Sequence, residues 1–174
     1  DTTYSFTGGE WWSLDDILAR VAALEVRHVC VTGGEPLAQR ACLPLLARLC
    51  DAGYEVSLET SGALPVDQVD ARVRRVVDVK TPASGESARN LLDQLGALGE
   101  RDQIKFVICD RADYEWSRQV LAERGLPARA MVLFSPSHEQ LPARELADWI
   151  LADRLPVRLQ VQLHKILWGN EPGR

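Results

Sequence analysis

Long apolar runs, basic clusters and signal-peptide features are all missing from this sequence. No segment approaches the roughly 18 consecutive apolar residues of a membrane-spanning helix. The amino terminus lacks the basic and then apolar segments of a signal peptide. The chain has no run of Lys and Arg, and its net charge is −5. We therefore expect neither a membrane nor a nucleic acid as a partner.

Closely spaced cysteine pairs are missing as well. The four cysteines are Cys30, Cys42, Cys50 and Cys109, and none of them forms a CxxC pair. Because nothing in the sequence indicates secretion, we expect reduced and mostly buried thiols in a cytoplasmic protein.

The sequence does contain a regular alternation of strand and helix patterns. Its 174 residues, 46% of them hydrophobic, are enough for one domain over residues 1–174. The predicted strands are residues 28–32, 54–59, 75–79, 103–109, 129–134 and 157–163. The first predicted helix begins at a Ser13 cap, the second includes 42–49 and a short third one follows Pro65. Further helices are predicted over 91–98 and 111–124, and the last one begins near Pro142. This alternation predicts an α/β fold with a parallel sheet, either doubly wound or closed into a complete or partial barrel.

The stretch from His28 to Pro36 is the most informative segment. It has the pattern of a buried strand that ends in a turn at Gly33 and Gly34. Without a Cβ atom, these two glycines let a ligand approach the backbone closely, while Glu35 adds a charge. A strand-to-helix turn that simply needs glycines is the plainer alternative.

Polar residues also follow the later strands. In a parallel barrel these strand ends share one edge, where such folds place their sites. Each cluster has a structural alternative: an ordinary turn at Glu59, an ion pair between Asp78 and Lys80, or a structural role for His164. Only three of the twenty basic residues are Lys, which hints at a need for a compact ammonium at Lys80. The clusters are Thr32 to Glu35, Glu59 to Gly62, Asp78 to Pro82, Ser135 to His138, and Gln162 with His164 on the polar side of the last predicted strand.

Several of these motifs resemble one enzyme family. The segment Thr32-Gly33-Gly34-Glu35-Pro36 resembles the GGEP element of radical S-adenosylmethionine enzymes, and Asp78-Val79-Lys80 resembles their later strand-end motif. The start, Asp1-Thr2-Thr3-Tyr4-Ser5-Phe6, is similar to the segment after the last cluster cysteine of 7-carboxy-7-deazaguanine synthases. The end, Gln162-Leu163-His164-Lys165, is similar to that family's closing motif. The matches span nearly the whole chain, and their combination indicates this family.

One family feature is absent. The family's three cluster cysteines precede the position of Asp1, and none of the four cysteines here has the spacing to replace them. Iron–sulfur clusters need thiolate ligands. The chain also starts without Met, a helix cap or a strand lead-in. We therefore expect a fragment, inactive as given, that forms a partial (β/α) barrel of the radical S-adenosylmethionine type with its first strand and cluster loop missing.

The resemblance implies a reaction and its cofactors. Enzymes of this family bind S-adenosylmethionine at a [4Fe–4S] cluster and cleave it to a radical that abstracts hydrogen from 6-carboxy-5,6,7,8-tetrahydropterin. Ring contraction with loss of ammonia gives 7-carboxy-7-deazaguanine, a precursor of queuosine and other 7-deazapurines. The family also uses Mg²⁺ and an external electron donor.

The resemblance also implies a role for individual residues. Gly33, Gly34 and Glu35 would serve the methionine end of the cofactor, Glu59 its ribose, Asp78 and Lys80 its ribose and carboxylate, and Asp1 its adenosine. Thr32 and His164 would face the pterin, and the hydroxyl of Thr2 would be a Mg²⁺ ligand, which suits the preference of Mg²⁺ for hard oxygen donors.

Two other functions remain open at this stage. One is another small radical S-adenosylmethionine enzyme, such as an activating enzyme that acts on a protein glycyl site. The other is a barrel-like nucleotide-binding module without redox chemistry. Trp11, Trp12 and Trp168 could anchor a subunit contact, so a homodimer is also possible, as in many family members.

Overall fold

A computed structural model describes residues 9–169 and residue 171 of the chain. The strands are β1 (His28–Val31), β2 (Glu55–Thr60), β3 (Arg74–Val79), β4 (Gln103–Ile108), β5 (Met131–Pro136) and β6 (Arg158–Leu159). The helices are α1 (Leu14–Ala23), α2 (Cys42–Asp51), α3 (Arg111–Arg124), α4 (Ala143–Ala152) and α5 (Leu163–Trp168). Short 3₁₀ turns fill several of the connections.

All six strands form one parallel sheet, and their spatial order is the same as their order along the chain. A doubly wound sheet reverses direction part-way, which places helices on both faces. A sheet that grows only in one direction through right-handed crossovers places all its helices on one face. The order therefore selects the partial barrel over the doubly wound alternative, and the predicted parallel α/β sheet is confirmed.

The hydrophobic core lies between the sheet and this single helical layer. Alternate residues of the central strands are fully buried, among them Leu58, Ile104 and Phe134. They pack against Leu46 of α2 and Leu146 of α4, both without exposed surface. Because side chains alternate across a strand, the residues between them project from the opposite face of the sheet.

The predicted helix caps are present where the sequence has strong local signals. The Ser13 side chain accepts a hydrogen bond from the Asp16 amide at 3.1 Å and starts α1. Asp110 caps α3 in the same way, and Gly125 ends it in the left-handed conformation with φ +59°.

Two of the predicted helices are not regular α-helices. No helix follows Pro65; Val66 and Val69 are buried there within consecutive turns. The segment predicted over 91–98 is a 3₁₀ helix over Leu92–Ala97, and it contains Gly96, a poor residue for a helix interior. At both places a pair of apolar side chains is buried in the core without a regular α-helix: Val66 with Val69, and Leu95 with Leu98.

The last predicted strand, 157–163, is wrong over most of its length. Only Arg158–Leu159 pairs with β5, and α5 begins at Leu163. His164 therefore lies on a helix and not on the polar side of a strand. Alternating polarity indicates a strand only where a neighbouring strand supplies hydrogen bonds, and β5 pairs with this segment at two residues alone.

The first strand and the cysteines are also less buried than predicted. His28 and Cys30 are exposed on β1, which pairs only with β2 among the described residues and forms an edge of the sheet. The four cysteines are free thiols as expected, but only Cys42 is buried.

None of the helices in the described part of the chain has the length and apolar character needed to cross a membrane. The six strands join a single sheet. A single domain over residues 1–174 stays a prediction, because both ends of that range lie outside the described residues.

Candidate active site

The face of the sheet away from the helices carries a set of polar side chains. Strand register places Glu59 of β2, Asp78 of β3 and Lys105 of β4 on this face, and Asp78 and Lys105 are direct neighbours across the ladder. We call this set the polar face: Cys30, Ser57, Glu59, Asp78, Lys105 and Ser135. A row of polar side chains opposite a well-packed core suits the binding of a polar ligand.

The Gly33-Gly34 loop lies at the carboxyl edge of β1 and leaves its backbone accessible. Thr32, Gly33 and Gly34 are exposed. Gly33 has φ +128°, a conformation that side chains disfavour, and no atom would meet a Cβ there within 4 Å. A cleft of about 310 Å³ runs between this loop and the segment around Trp11 and Trp12. The predicted close approach of a ligand to bare backbone is therefore sterically possible.

Glu35 holds this loop against the end of β2. Its carboxylate accepts hydrogen bonds from the Leu37 amide at 3.1 Å, from the Thr60 hydroxyl at 2.9 Å and from the Ser61 amide at 2.9 Å. The Ser61 hydroxyl donates a further short bond. Four donor groups of the protein thus bond to the two oxygens of the Glu35 carboxylate. These bonds indicate that Glu35 positions the glycine loop and does not itself contact a ligand.

Asp78 and Lys80 form an ion pair with one unused acceptor. The Lys80 ammonium donates to Asp78 Oδ2 at 2.9 Å. Asp78 Oδ1 is buried and has no hydrogen-bond partner among the described residues. A buried oxygen without a donor is costly unless a ligand supplies one, so this atom marks a place for a hydroxyl or amine.

Asn90 and Asp113 support this strand end, and sequence reasoning missed both. The Lys80 amide donates to Asn90 Oδ1 at 2.9 Å, and Asn90 Nδ2 donates to the Lys80 carbonyl at 2.8 Å. The buried Asp113 accepts from the Thr81 hydroxyl at 2.8 Å and from the Ala83 amide at 2.9 Å. These bonds join residues 10 to 32 positions apart, so no local signal could have identified them.

The second half of the predicted site lies around a separate cleft. Ser137, His138, Gln162 and Lys165 help to line a cavity of about 330 Å³ between the end of β5 and α5. His164 follows Gln162 and is half-buried. The hydroxyl of Ser135 is buried and has no partner within the described residues. Asp1 and Thr2 lie outside the described residues, so their predicted roles have no structural counterpart here.

The surroundings of Cys30 on the polar face affect its thiol. Desolvation raises the pKa of the Cys30 thiol, a hydrogen bond with Ser57 lowers it, and the nearby Glu59 carboxylate raises it further. The net shift of the pKa is upward, which disfavours the thiolate of Cys30.

The described residues do not form a metal or cluster site. Within residues 9–169 and 171, no group of three or more His, Cys, Asp or Glu side chains is placed to hold a metal ion. The four thiols are dispersed over β1, α2 and the end of β4, and they do not converge. The polar face and the neighbouring glycine loop do fit a nucleoside cofactor. The Asp78 oxygen that has no partner among the described residues complements a hydroxyl group, and the exposed backbone of the loop complements an ammonium group.

Comparison with known proteins identifies the family. No protein-family model matches the chain. The chain is 44% identical over 174 residues to the 7-carboxy-7-deazaguanine synthase of Chlorobaculum tepidum, and the match covers 98% of this chain and 79% of that protein. It is 42% identical over 186 residues to the synthase of Koribacter versatilis, covering 98% and 82%. The chain belongs to the 7-carboxy-7-deazaguanine synthase family. The family predicted from the motifs is confirmed.

Solved structures agree with this family and its fold. The crystal structure of QueE from Escherichia coli matches with a TM-score of 0.68 and 27% identity, over 87% of this chain and 64% of that one. The chain thus spans just under two thirds of that protein. Streptococcus suis SuiB bound to its precursor peptide matches with a TM-score of 0.64 at 12% identity, over 90% of this chain and 43% of that one, which shows a shared fold alone. The predicted partial barrel is confirmed.

Proposed function

We propose that this chain, in a full-length form that includes the family's cluster cysteines, acts as a 7-carboxy-7-deazaguanine synthase, a radical S-adenosylmethionine lyase of the queuosine pathway. Its reaction would convert 6-carboxy-5,6,7,8-tetrahydropterin into 7-carboxy-7-deazaguanine with loss of ammonia. The observation that carries this proposal is the 44% identity to such a synthase over nearly the whole chain. That identity also favours the synthase over an activating enzyme or a non-redox binding module.

In this proposal the carboxyl edge of the sheet binds S-adenosylmethionine, which would supply the radical that starts the reaction. The backbone of Gly33 and Gly34 would accept from the cofactor's ammonium, and Glu35 would keep that loop in place. Asp78 Oδ1, which has no donor among the described residues, would accept from a ribose hydroxyl, and so would the exposed Glu59. Lys80, fixed by Asp78 and Asn90, would face the carboxylate.

The remaining assignments concern the substrate and the metal. Thr32, exposed beside the glycine loop, and His164, half-buried on α5, would contact the pterin. Thr2 would contribute its hydroxyl to Mg²⁺, and Asp1 would border the adenosine; both residues lie outside the described part of the chain. The [4Fe–4S] cluster and an external electron donor complete the proposal, and the described residues provide no ligand set for the cluster. Inactivity of the chain as given stays a prediction.

A homodimer is also part of the proposal. Trp11 is fully exposed, and Trp12 and Trp168 expose 43% and 49% of their surface. Large exposed aromatic residues are enriched at subunit contacts.

An anaerobic product assay tests the proposed reaction. A full-length form of the protein that also carries the three cluster cysteines expected before Asp1, reconstituted with iron and sulfide and supplied with a reductant, S-adenosylmethionine and 6-carboxy-5,6,7,8-tetrahydropterin, should form 7-carboxy-7-deazaguanine. Asp78→Asn should lower kcat/KM by about 10- to 100-fold, because the ribose acceptor and the Lys80 partner are both weakened. A protein that binds S-adenosylmethionine and carries a complete cluster but forms no product would refute the assignment.

A further inference from the structure

We propose that Lys105 binds a carboxylate of a ligand on the polar face, as a specificity residue that the family motifs do not include. The inference rests on the proposed function for the identity of the ligands. Three structural observations support the role of the residue: the position of Lys105, the absence of a partner for it among the described residues, and the state of its neighbour Asp78.

The position of Lys105 is set by strand register. It is the third residue of β4, and Asp78 of β3 is its direct neighbour across the ladder. Ile104 and Phe106 on either side of it are fully buried in the core. The side chain of Lys105 must therefore project from the polar face, beside the ion pair of Asp78 and Lys80.

Lys105 differs from the other half-buried basic residues in having no partner among the described residues. Arg75 pairs with Asp102, Lys80 with Asp78, and Arg118 with Glu115. Lys165 also has an interaction. No hydrogen bond or ion pair within the described part of the chain reaches the Lys105 ammonium, although a half-buried cation is normally compensated. No group of opposite charge among the described residues thus lies within bonding distance of this ammonium.

The state of Asp78 indicates that this missing group is not the Asp78 carboxylate. Asp78 Oδ2 is used by Lys80, and Asp78 Oδ1 is buried without a donor even though Lys105 lies on the adjacent strand. Lys105 therefore does not neutralise Asp78, and its long, flexible stem leaves the ammonium free to meet a ligand. Two ligands of the proposed reaction carry a carboxylate: the methionine end of S-adenosylmethionine and the carboxy-substituted ring.

Equilibrium binding tests this role without turnover, with a full-length form of the protein that carries the three cluster cysteines expected before Asp1 and is reconstituted with iron and sulfide. The probes form two matched pairs: S-adenosylmethionine with decarboxylated S-adenosylmethionine, and 7-carboxy-7-deazaguanine with 7-deazaguanine. Lys105→Met should weaken the acid of one pair about tenfold or more and leave its decarboxylated partner unchanged, because a charged hydrogen bond is lost only with the acid. The affected pair identifies the source of the carboxylate. Lys105→Arg should keep most of the affinity.

Arg101→Met is the matched control, because Arg101 is exposed just before the amino end of β4 and the substitution removes the same charge. It should leave all four affinities unchanged. Equal affinities of Lys105→Met and the unmodified protein for both acids would overturn the inference, and so would equal losses for acids and decarboxylated ligands, which would indicate a purely structural role. Failure of the unmodified protein to bind any of the four ligands would overturn the proposed function and this inference together.

Discussion

At the scale of single residues, the polar face shows how neighbours alter the chemistry of a side chain. Cys30 is exposed, which alone would make it a reactive thiol. Desolvation and the Glu59 carboxylate nevertheless raise its pKa, and the Ser57 hydrogen bond lowers it only partly. Since the thiolate is the nucleophile, Cys30 is accessible to reagents but its raised pKa lowers its reactivity.

We expect Cys30 to react slowly with iodoacetamide at pH 7 and faster as the pH rises, with a midpoint above that of an ordinary free thiol, about 8.5. Glu59→Gln should speed labelling at a given pH, because removal of the nearby negative charge lowers the pKa. Mass spectrometry of the peptide that contains Cys30 distinguishes it from the other three thiols. Unchanged or slower labelling in Glu59→Gln would contradict this account.

At the scale of elements, side chains hold the loops at the carboxyl edge of the sheet. Glu35 joins the loop after β1 to the end of β2. Asn90 and Asp113 hold the segment after β3, and Asp113 also accepts from the Cys109 amide after β4 at 3.1 Å. The carboxyl ends of β1 to β4 are thus held by the carboxylates of Glu35 and Asp113 and the amide of Asn90, which pre-organises the backbone that would meet the cofactor.

Glu35→Ala should destabilise the fold by about 2–3 kcal/mol, since several buried or half-buried donors lose a charged acceptor. It should also weaken S-adenosylmethionine binding about tenfold, because the glycine loop loses its support. Glu35→Gln, which keeps one acceptor oxygen, should have smaller effects on both. Urea unfolding and equilibrium binding measure the two quantities.

Glu55→Gln provides the control for the Glu35 variants. Glu55 lies at the other end of β2 in an exposed pair with Arg27 at 2.6 Å. Its loss should change stability by less than about 1 kcal/mol and leave binding intact. If Glu35→Ala behaved like Glu55→Gln, the support role of Glu35 would be wrong.

At the scale of the whole molecule, the amino-terminal edge of the sheet is held by a buried ion pair. Arg75 of β3 donates to both oxygens of Asp102, at 3.1 Å and 2.5 Å, and Asp102 also accepts from the Gly99 amide at 2.9 Å. Burial acts to raise the pKa of Asp102, but the bonds from Arg75 and Gly99 outweigh it, and the pKa is lowered. The ion pair of Arg75 and Asp102 therefore stabilises the fold only while Asp102 is ionised.

Asp102→Asn should lower the free energy of unfolding by about 2–4 kcal/mol at pH 7. The folded pKa lies below the unfolded value of about 3.9, so the contribution is present above pH 4 and is lost as the pH falls through the folded pKa. The difference between the variant and the unmodified protein should shrink accordingly in urea unfolding at lower pH. Asp93→Asn removes an exposed pair with Arg124 and should cost less than about 1 kcal/mol at any pH.

The sequence by itself determined the features that depend on near neighbours. The alternation of strands and helices, the caps at Ser13 and Asp110, and the exposed glycine turn at Gly33 all follow from residues within one turn or one strand. The motif combination was also sufficient to indicate the family, because the spacing of several short motifs along the chain is itself sequence information.

Only the tertiary structure decided which polar residues meet and which face they occupy. The strand order selected the partial barrel, the two-residue pairing of β6 turned a predicted strand into α5, and the position of β1 at an edge exposed Cys30. The partners of Glu35 and Lys80 lie up to 26 residues away. Local patterns give the alternation of side chains along a strand, but the register between distant strands sets their neighbours. That register is fixed by burial of the whole core.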